Sequence, residues 1–339
     1  MADTDYDVPE DYTSIQTWLN DQDGVTGTHT LNVGDQYVDG QGLLNNASTA
    51  ATAFVIKPKA GAKHNGTSRN VASAGAALRH TDIVLYWFST NGATLSVEDM
   101  VLERTAGSTF TVDNTSSAGN DVSLVRCVVE SRGTSTGTNI RLKDHVLTVH
   151  DSIIYGHTVY GIDIRTATDQ SLIGNTVGDN ATGQYGLLPN NSGTAGPVAN
   201  NISFGHSTED YFNASPSNTN HKSNVAKDAT AVNEWDGGNG GVNNVEIHVT
   251  GDTPTGNYVA FVSLTAGSED LHLVDLGHGT YVNVALAGGA PSLGSGTDID
   301  GDTRDGTTPD IGADEMAAGG VVTVNNLFVN QSVQHASNF

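Results

Sequence analysis

The chain is poor in cations: its 339 residues carry 14 Lys+Arg against 38 Asp+Glu, a formal charge of −24. Nucleic acid and anionic lipid are both held by clustered Lys/Arg, so neither is an expected partner. A single cysteine, Cys127, excludes an intrachain disulfide and a Cys-based metal cluster. Within Arg126-Cys127-Val128 it reads as a small core residue. Prolines number 8, aromatics make up 6%, and long helix-forming residues are few, which excludes a helical bundle. No run approaches the roughly 18 apolar residues of a membrane span. Met1-Ala-Asp-Thr-Asp-Tyr6 has neither a basic n-region nor an apolar h-region. The expectation is a chain with no membrane insertion and no classical export signal.

What is abundant points one way. Gly (40) and Thr (39) punctuate and fill short Val/Ile-containing runs, an all-β composition. The acid excess is mostly aspartate, 29 Asp to 9 Glu, with only 6 Lys. A large hydrated carboxylate surface suits strong screening, so a hypersaline setting is expected.

The decisive pattern is a repeat. Segments beginning at Leu95, Val122, Leu147, Ser171, Pro197 and Asn220 align, with Met100, Cys127, Ser152, Asn175, Asn201 and Asn224 in one column at steps of 27, 25, 23, 26 and 23. The next column, Val101, Val128, Ile153, Thr176, Ile202 and Val225, is β-branched throughout. A second series, Phe110–Asp113, Ile140–Lys143, Ile162–Arg165 and Leu187–Asn190, alternates with period 2 and keeps the same spacing. Like residues stacked every two dozen positions make a parallel β-solenoid, with at least two strands per turn. Asn175, Asn201 and Asn224 then stack as an internal amide ladder. Ile15, Trp18 and Leu19 fall on one side of a short helix capped at Thr13 or Ser14, expected to plug the first turn.

With these residues in view, the chain resembles the right-handed parallel β-helix proteins of the pectate-lyase and tailspike type. The likeness covers residues 10–316. The entry Asp11-Tyr-Thr-Ser-Ile-Gln-Thr-Trp18, the Val-x-x-Asn-Ile kernel, Asp298–Gly306 and Asp310–Glu315 are similar to β-helix proteins of phage-like genomes and microbial surfaces. The resemblance implies an all-β, right-handed parallel β-helix solenoid. Its parts would be an N-terminal helical cap (1–24), a coil (25–292), a C-terminal capping loop (293–317) and a docking or oligomerisation tail (318–339). The usual Pro after the Arg of the closing motif is Asp305 here.

β-Helices host unrelated functions, so function rests on sites. Residues 126–165 hold five of the chain's basic groups, Arg126, Arg132, Arg141, Lys143 and Arg165. With Tyr155, His157, Tyr160 and Asp163 they form a candidate glycan or receptor face. Arg141 beside Asp163 reads as a cross-strand ion pair. The outward columns of the second series mix charges rather than pairing acids, so no catalytic residue is assigned. Asp298, Asp300, Asp302 and Asp305 are the most concentrated oxygen donors and the candidate calcium ligands, with Arg304 pairing these acids as the alternative. Val321, Val322, Val324, Leu327, Phe328 and Val329 read as a docking strand for other virion proteins or further copies of the chain.

Together these features point to a virion surface protein, a spike, turret or tail fibre of a haloarchaeal-virus-like source, attaching to a host glycan or glycoprotein. The alternatives are a polysaccharide lyase or hydrolase of β-helix type, and a cell-surface adhesin.

Overall fold

A computed structural model describes residues 4–22, 24–34, 38–39, 52–67, 75–87, 92–107, 110–114, 121–132, 137–143, 146–166, 169–178, 183–189, 196–212, 221–227, 246–248, 258–265, 268–276, 283–289 and 296–316. The tail residues Val321 to Val329 lie outside the described residues, as does the side chain of Arg165. No helix among them is long and apolar enough to cross a membrane.

The aligned segments stack as a parallel β-solenoid of about six turns. Its first sheet has nine strands running from Thr4–Val8 and Gly27–Val33 to Val198–Ala199 and His221–Lys222. The second has eight, from Val38–Asp39 through Val101–Arg104, Val128–Ser131 and Ile153–Tyr155 to Val225–Ala226. The third has six, from Leu85–Tyr86 through Phe110–Asn114, Thr138–Lys143 and Tyr160–Thr166 to Glu209–Tyr211. Each turn therefore holds three strands. Every aligned repeat segment is split in two by one left-handed residue: Asp99, Arg126, Asp151, Asn200 and Ser223 lie at φ 50–57°, and Gly174 at 67°. Asp, Asn and Gly tolerate that conformation best, so the residue before the ladder column is where the chain turns from the first sheet into the second. Strand Thr4–Val8, inside the region read as a cap, already pairs in register with Gly27–Val33.

The ladder column points inward as expected. Asn201 Oδ1 accepts from Asn175 N and Nδ2 (both 3.0 Å), and Asn224 Oδ1 accepts from Asn201 N (3.1 Å) and Nδ2 (2.9 Å). It continues upward through Ser152 N to Asn175 Oδ1 and Cys127 N to Ser152 Oγ. Inside, Leu102, Val129, Ile154 and Val177 share one buried core with Val112, Ile140, Ile162 and Leu187 of the third sheet. Helix Ile15–Asp21, N-capped by Ser14, adds Ile15, Trp18 and Leu19 to it, with Trp18 edge-on to Phe54 at 5.6 Å.

The β-branched column faces the opposite way. Val101, Val128, Ile153, Ile202 and Val225 form a second core with Val259, Phe261, Leu271, Leu273, Ala285, Ile299, Ile311 and Ala313. These covering residues come from Tyr258–Ser263, its antiparallel partner Asp270–Leu273, and the loops that follow. Burying each Val or Ile of such a column contributes about 1.5–3 kcal/mol, so the C-terminal part is held by a core of its own.

The loop read as an end closure accordingly makes its bonds along the flank. Arg126 Nη1 donates to Thr297 Oγ1 (3.2 Å), Arg304 Nε to Asp151 Oδ1 (2.8 Å), Ala313 N to Thr176 Oγ1 (3.0 Å) and Gly312 N to Asn200 O (2.7 Å), touching four successive turns. The loop is drawn there because the left-handed turns leave Asp151 and the Asn200 carbonyl facing outward, where Arg304 and the Gly312 amide answer them.

Candidate functional site

Rung geometry places three groups of polar side chains on or beside the coil. The first lies on the outer side of the second sheet, where Glu103, Glu130, Tyr155, Gly178 and Phe204 stand in one column. Adjacent strands lie about 4.8 Å apart, which sets Glu103 beside Glu130. Arg132 bridges them, Nη1 to Glu103 at 3.3 Å and Nη2 to Glu130 at 2.7 Å, and Arg79 Nη2 closes on Glu103 at 2.6 Å. Tyr155 donates its hydroxyl hydrogen to Glu130. Glu103 is 1% exposed and Glu130 fully buried, so the pair is shut off from a polymer. Burial pushes the Glu130 carboxyl up, against Arg132 and Tyr155, which favour the carboxylate. Two carboxylates side by side are what glycoside hydrolysis requires, but here both are closed off from substrate. Sequence reasoning missed this pair by examining outward columns only in the second strand series, although both glutamates stand in the aligned segments.

The second group is on the third sheet. Arg141 lies in register between Asp113 and Asp163. Its bidentate ion pair is with Asp113 (Nε 2.9 Å, Nη2 2.8 Å), where the sequence pointed to Asp163, and its guanidinium sits 3.4 Å above the Phe110 ring. The Phe110 ring fixes the choice, since the guanidinium stacks there and meets Asp113 on the same turn. Further along, half-buried Tyr160 stacks on Tyr185 at 5.1 Å, and the Phe212 ring lies tilted against Tyr185 at 4.6 Å.

The third group lies within the C-terminal part. His272 donates from Nδ1 to Asp270 (2.5 Å) and from Nε2 to Asp300 (3.1 Å). Burial works against its proton, yet the two carboxylates hold it up to about 11. Burial raises neighbouring Asp314 to about 7. One ligand atom each from His272, Asp300 and Asp314 falls within 4.8 Å of the others, the one grouping of metal-binding side chains among the described residues.

Of the aspartates read as calcium ligands, only Asp300 belongs to this cluster. Asp298 Oδ1 accepts from the backbone of Asp300 and Asp302, and its Oδ2 from Glu315 N. Asp305 Oδ1 accepts from Thr307 and Thr308 N, and Asp302 is exposed. Arg304 pairs with Asp151 and Glu315.

The residues read as one glycan face are dispersed. Arg126 is clamped to Asp99 at the flank (Nε 2.8 Å, Nη2 3.0 Å), and Arg132 and Tyr155 belong to the buried acid pair. His157 is fully buried and Asp163 nearly so. Arg141, Lys143 and Tyr160 remain together on the third sheet with their side chains partly exposed.

The fold and these sites define a parallel β-solenoid whose second sheet is sealed on its outer side. No protein-family model, curated protein or solved structure matches the chain.

Proposed function

We propose that the protein is a rigid virion surface component, a spike, turret or tail fibre, that attaches to a host glycan or glycoprotein in high salt. The observation that carries this reading is the engagement of charged groups from turn to turn: Arg79–Glu103–Arg132–Glu130, Arg126–Asp99 and Arg141–Asp113 each cross-link neighbouring rungs. Such pairs stiffen a shaft, and the net charge of −24 coats it. Contact with the host is assigned to Arg141, Lys143 and Tyr160, with Tyr185 and Phe212 alongside. Docking to other virion proteins, and self-association, are assigned to residues 318–339. Immunolabelling of purified particles tests this: label on the particle surface, and competition of free protein with adsorption, are expected. Absence from particles would overturn it.

A second reading, a polysaccharide lyase or hydrolase, lacks an open acid pair, since Glu103 and Glu130 are buried and bridged by Arg132. Incubation with host surface glycans tests it: shortened chains, lost in the Glu130→Gln variant, would establish it.

A further inference from the structure

Where the second sheet passes into the third, the coil encloses a polar seam. Arg104 ends strand Val101–Arg104 and pairs in register with Ser131. It is 0% exposed. Its Nε and Nη2 both donate to Ser131 Oγ, at 3.2 and 2.9 Å. Ser131 Oγ donates in turn to Asn139 Oδ1, Thr111 Oγ1 lies 3.1 Å from both, and Asn139 Nδ2 donates to Tyr155 O at 2.8 Å. Ser131, Thr111 and Asn139 are thus engaged with one another, and Arg104 Nη1 has no hydrogen-bond partner.

The guanidinium also has no counter-charge in contact with it. None of the ion pairs among the described residues includes Arg104, and the one carboxylate acting on it, that of exposed Asp82, does so only through space. Burial lowers its pKa to about 10, so it stays charged at neutral pH. His157, fully buried, lines the same region: its ring stacks on His206 at 5.0 Å and neither ring nitrogen has a partner in hydrogen-bond geometry. Burial, His206 and the Arg104 charge all keep it neutral, with the Tyr185 backbone the opposing influence. Buried charges in folded proteins are paired, and an orphaned buried donor calls for a partner such as an ion or a water.

We propose that this seam is a halide site, with chloride seated against Nη1 of Arg104. One uncompensated positive charge calls for a monovalent anion. The free donors are too few for a tetrahedral oxyanion, whose four oxygens each need hydrogens. Water would accept from Nη1 yet leave the charge unmatched. A strongly acidic surface repels anions, so a halide here must be held by this buried guanidinium rather than by the general field.

Two measurements test the proposal on the whole chain. Crystals grown with bromide in place of chloride should show an anomalous peak beside Arg104 Nη1; no peak there in a well-ordered structure would overturn it. At constant ionic strength, replacing sodium gluconate with sodium chloride should raise Tm to a plateau, and bromide should do the same. The Arg104→Met variant should lose that halide-dependent rise. An equal rise in wild type and variant would overturn the assignment, and if the variant does not fold, the bromide peak decides alone.

Discussion

Replacing Asn201 with leucine keeps the volume and removes the middle of the ladder. In the native coil its Oδ1 takes Asn175 N and Nδ2, and its Nδ2 gives to Leu172 O (2.9 Å) and Asn224 Oδ1. Two of these partners have alternatives, because Asn175 Nδ2 also reaches Val149 O and Asn224 Oδ1 also receives Asn201 N. The Asn175 amide and one bond to the Leu172 carbonyl are left unmet in a fully buried column. At about 1–3 kcal/mol for each of the two orphaned groups, Asn201→Leu should cost about 2–6 kcal/mol. That is a large part of the roughly 5–15 kcal/mol that holds a typical domain. Ser152→Ala, which removes one acceptor from Cys127 N, should cost less. Urea denaturation followed by circular dichroism at fixed salt measures both. If Asn201→Leu loses less than about 1 kcal/mol, the amide column does not bind the turns together and the reasoning fails.

Further outcomes follow from the same geometry. Arg304→Met removes the ion pair to buried Asp151, so about 3–5 kcal/mol should be lost, with protease cutting residues 296–316 before the coil. His64 donates from Nε2 to Arg126 O (2.7 Å) and accepts from Gly66 N at Nδ1 (3.1 Å), and burial lowers its pKa to about 4. The unfolded chain takes up that proton first, so stability present above the unfolded pKa near 6.5 should fall as pH drops toward 4, by about 3 kcal/mol. The difference in Tm between wild type and His64→Gln across this range isolates the effect; a constant difference would refute it. Burial pushes the Cys127 thiol up to about 12, so a thiol reagent should label it only after unfolding. A calcium titration followed by Tm tests the 298–305 loop. With Asp298 and Asp305 engaged by backbone donors no shift is expected, and a rise reversed by chelator would establish the site.

The coil was legible in the sequence because inward columns repeat chemically: asparagine stacks on asparagine, and Val112, Ile140, Ile162 and Leu187 keep one register. The split of each repeat into two sheets also had a signal, since Asp99, Asp151, Gly174 and Asn200 are residues that accept a left-handed turn. Arg126 and Ser223 in the same column obscure it. The covering of Val101, Val128 and Ile153 by Val259, Phe261, Leu271, Ile299 and Ile311 was not legible, because contacts between distant segments leave no periodicity. Column position names two neighbours for Arg141, Asp113 and Asp163, without choosing between them. The glycan residues scattered for a related reason: residues 126–165 run over more than one turn, so Arg126 and Arg132 flank the second-sheet strand Val128–Ser131 while Arg141 lies on the third sheet.

The C-terminal part seals the outer face of the second sheet and forms one body with the coil. Amide hydrogen exchange read residue by residue tests it most directly. The amides of Ile299, Gly312 and Ala313, which donate to Ala313 O, Asn200 O and Thr176 Oγ1, should be protected as long as those of Thr176 and Ile202 in the coil. Fast exchange at these three amides while the coil stays protected would contradict the account.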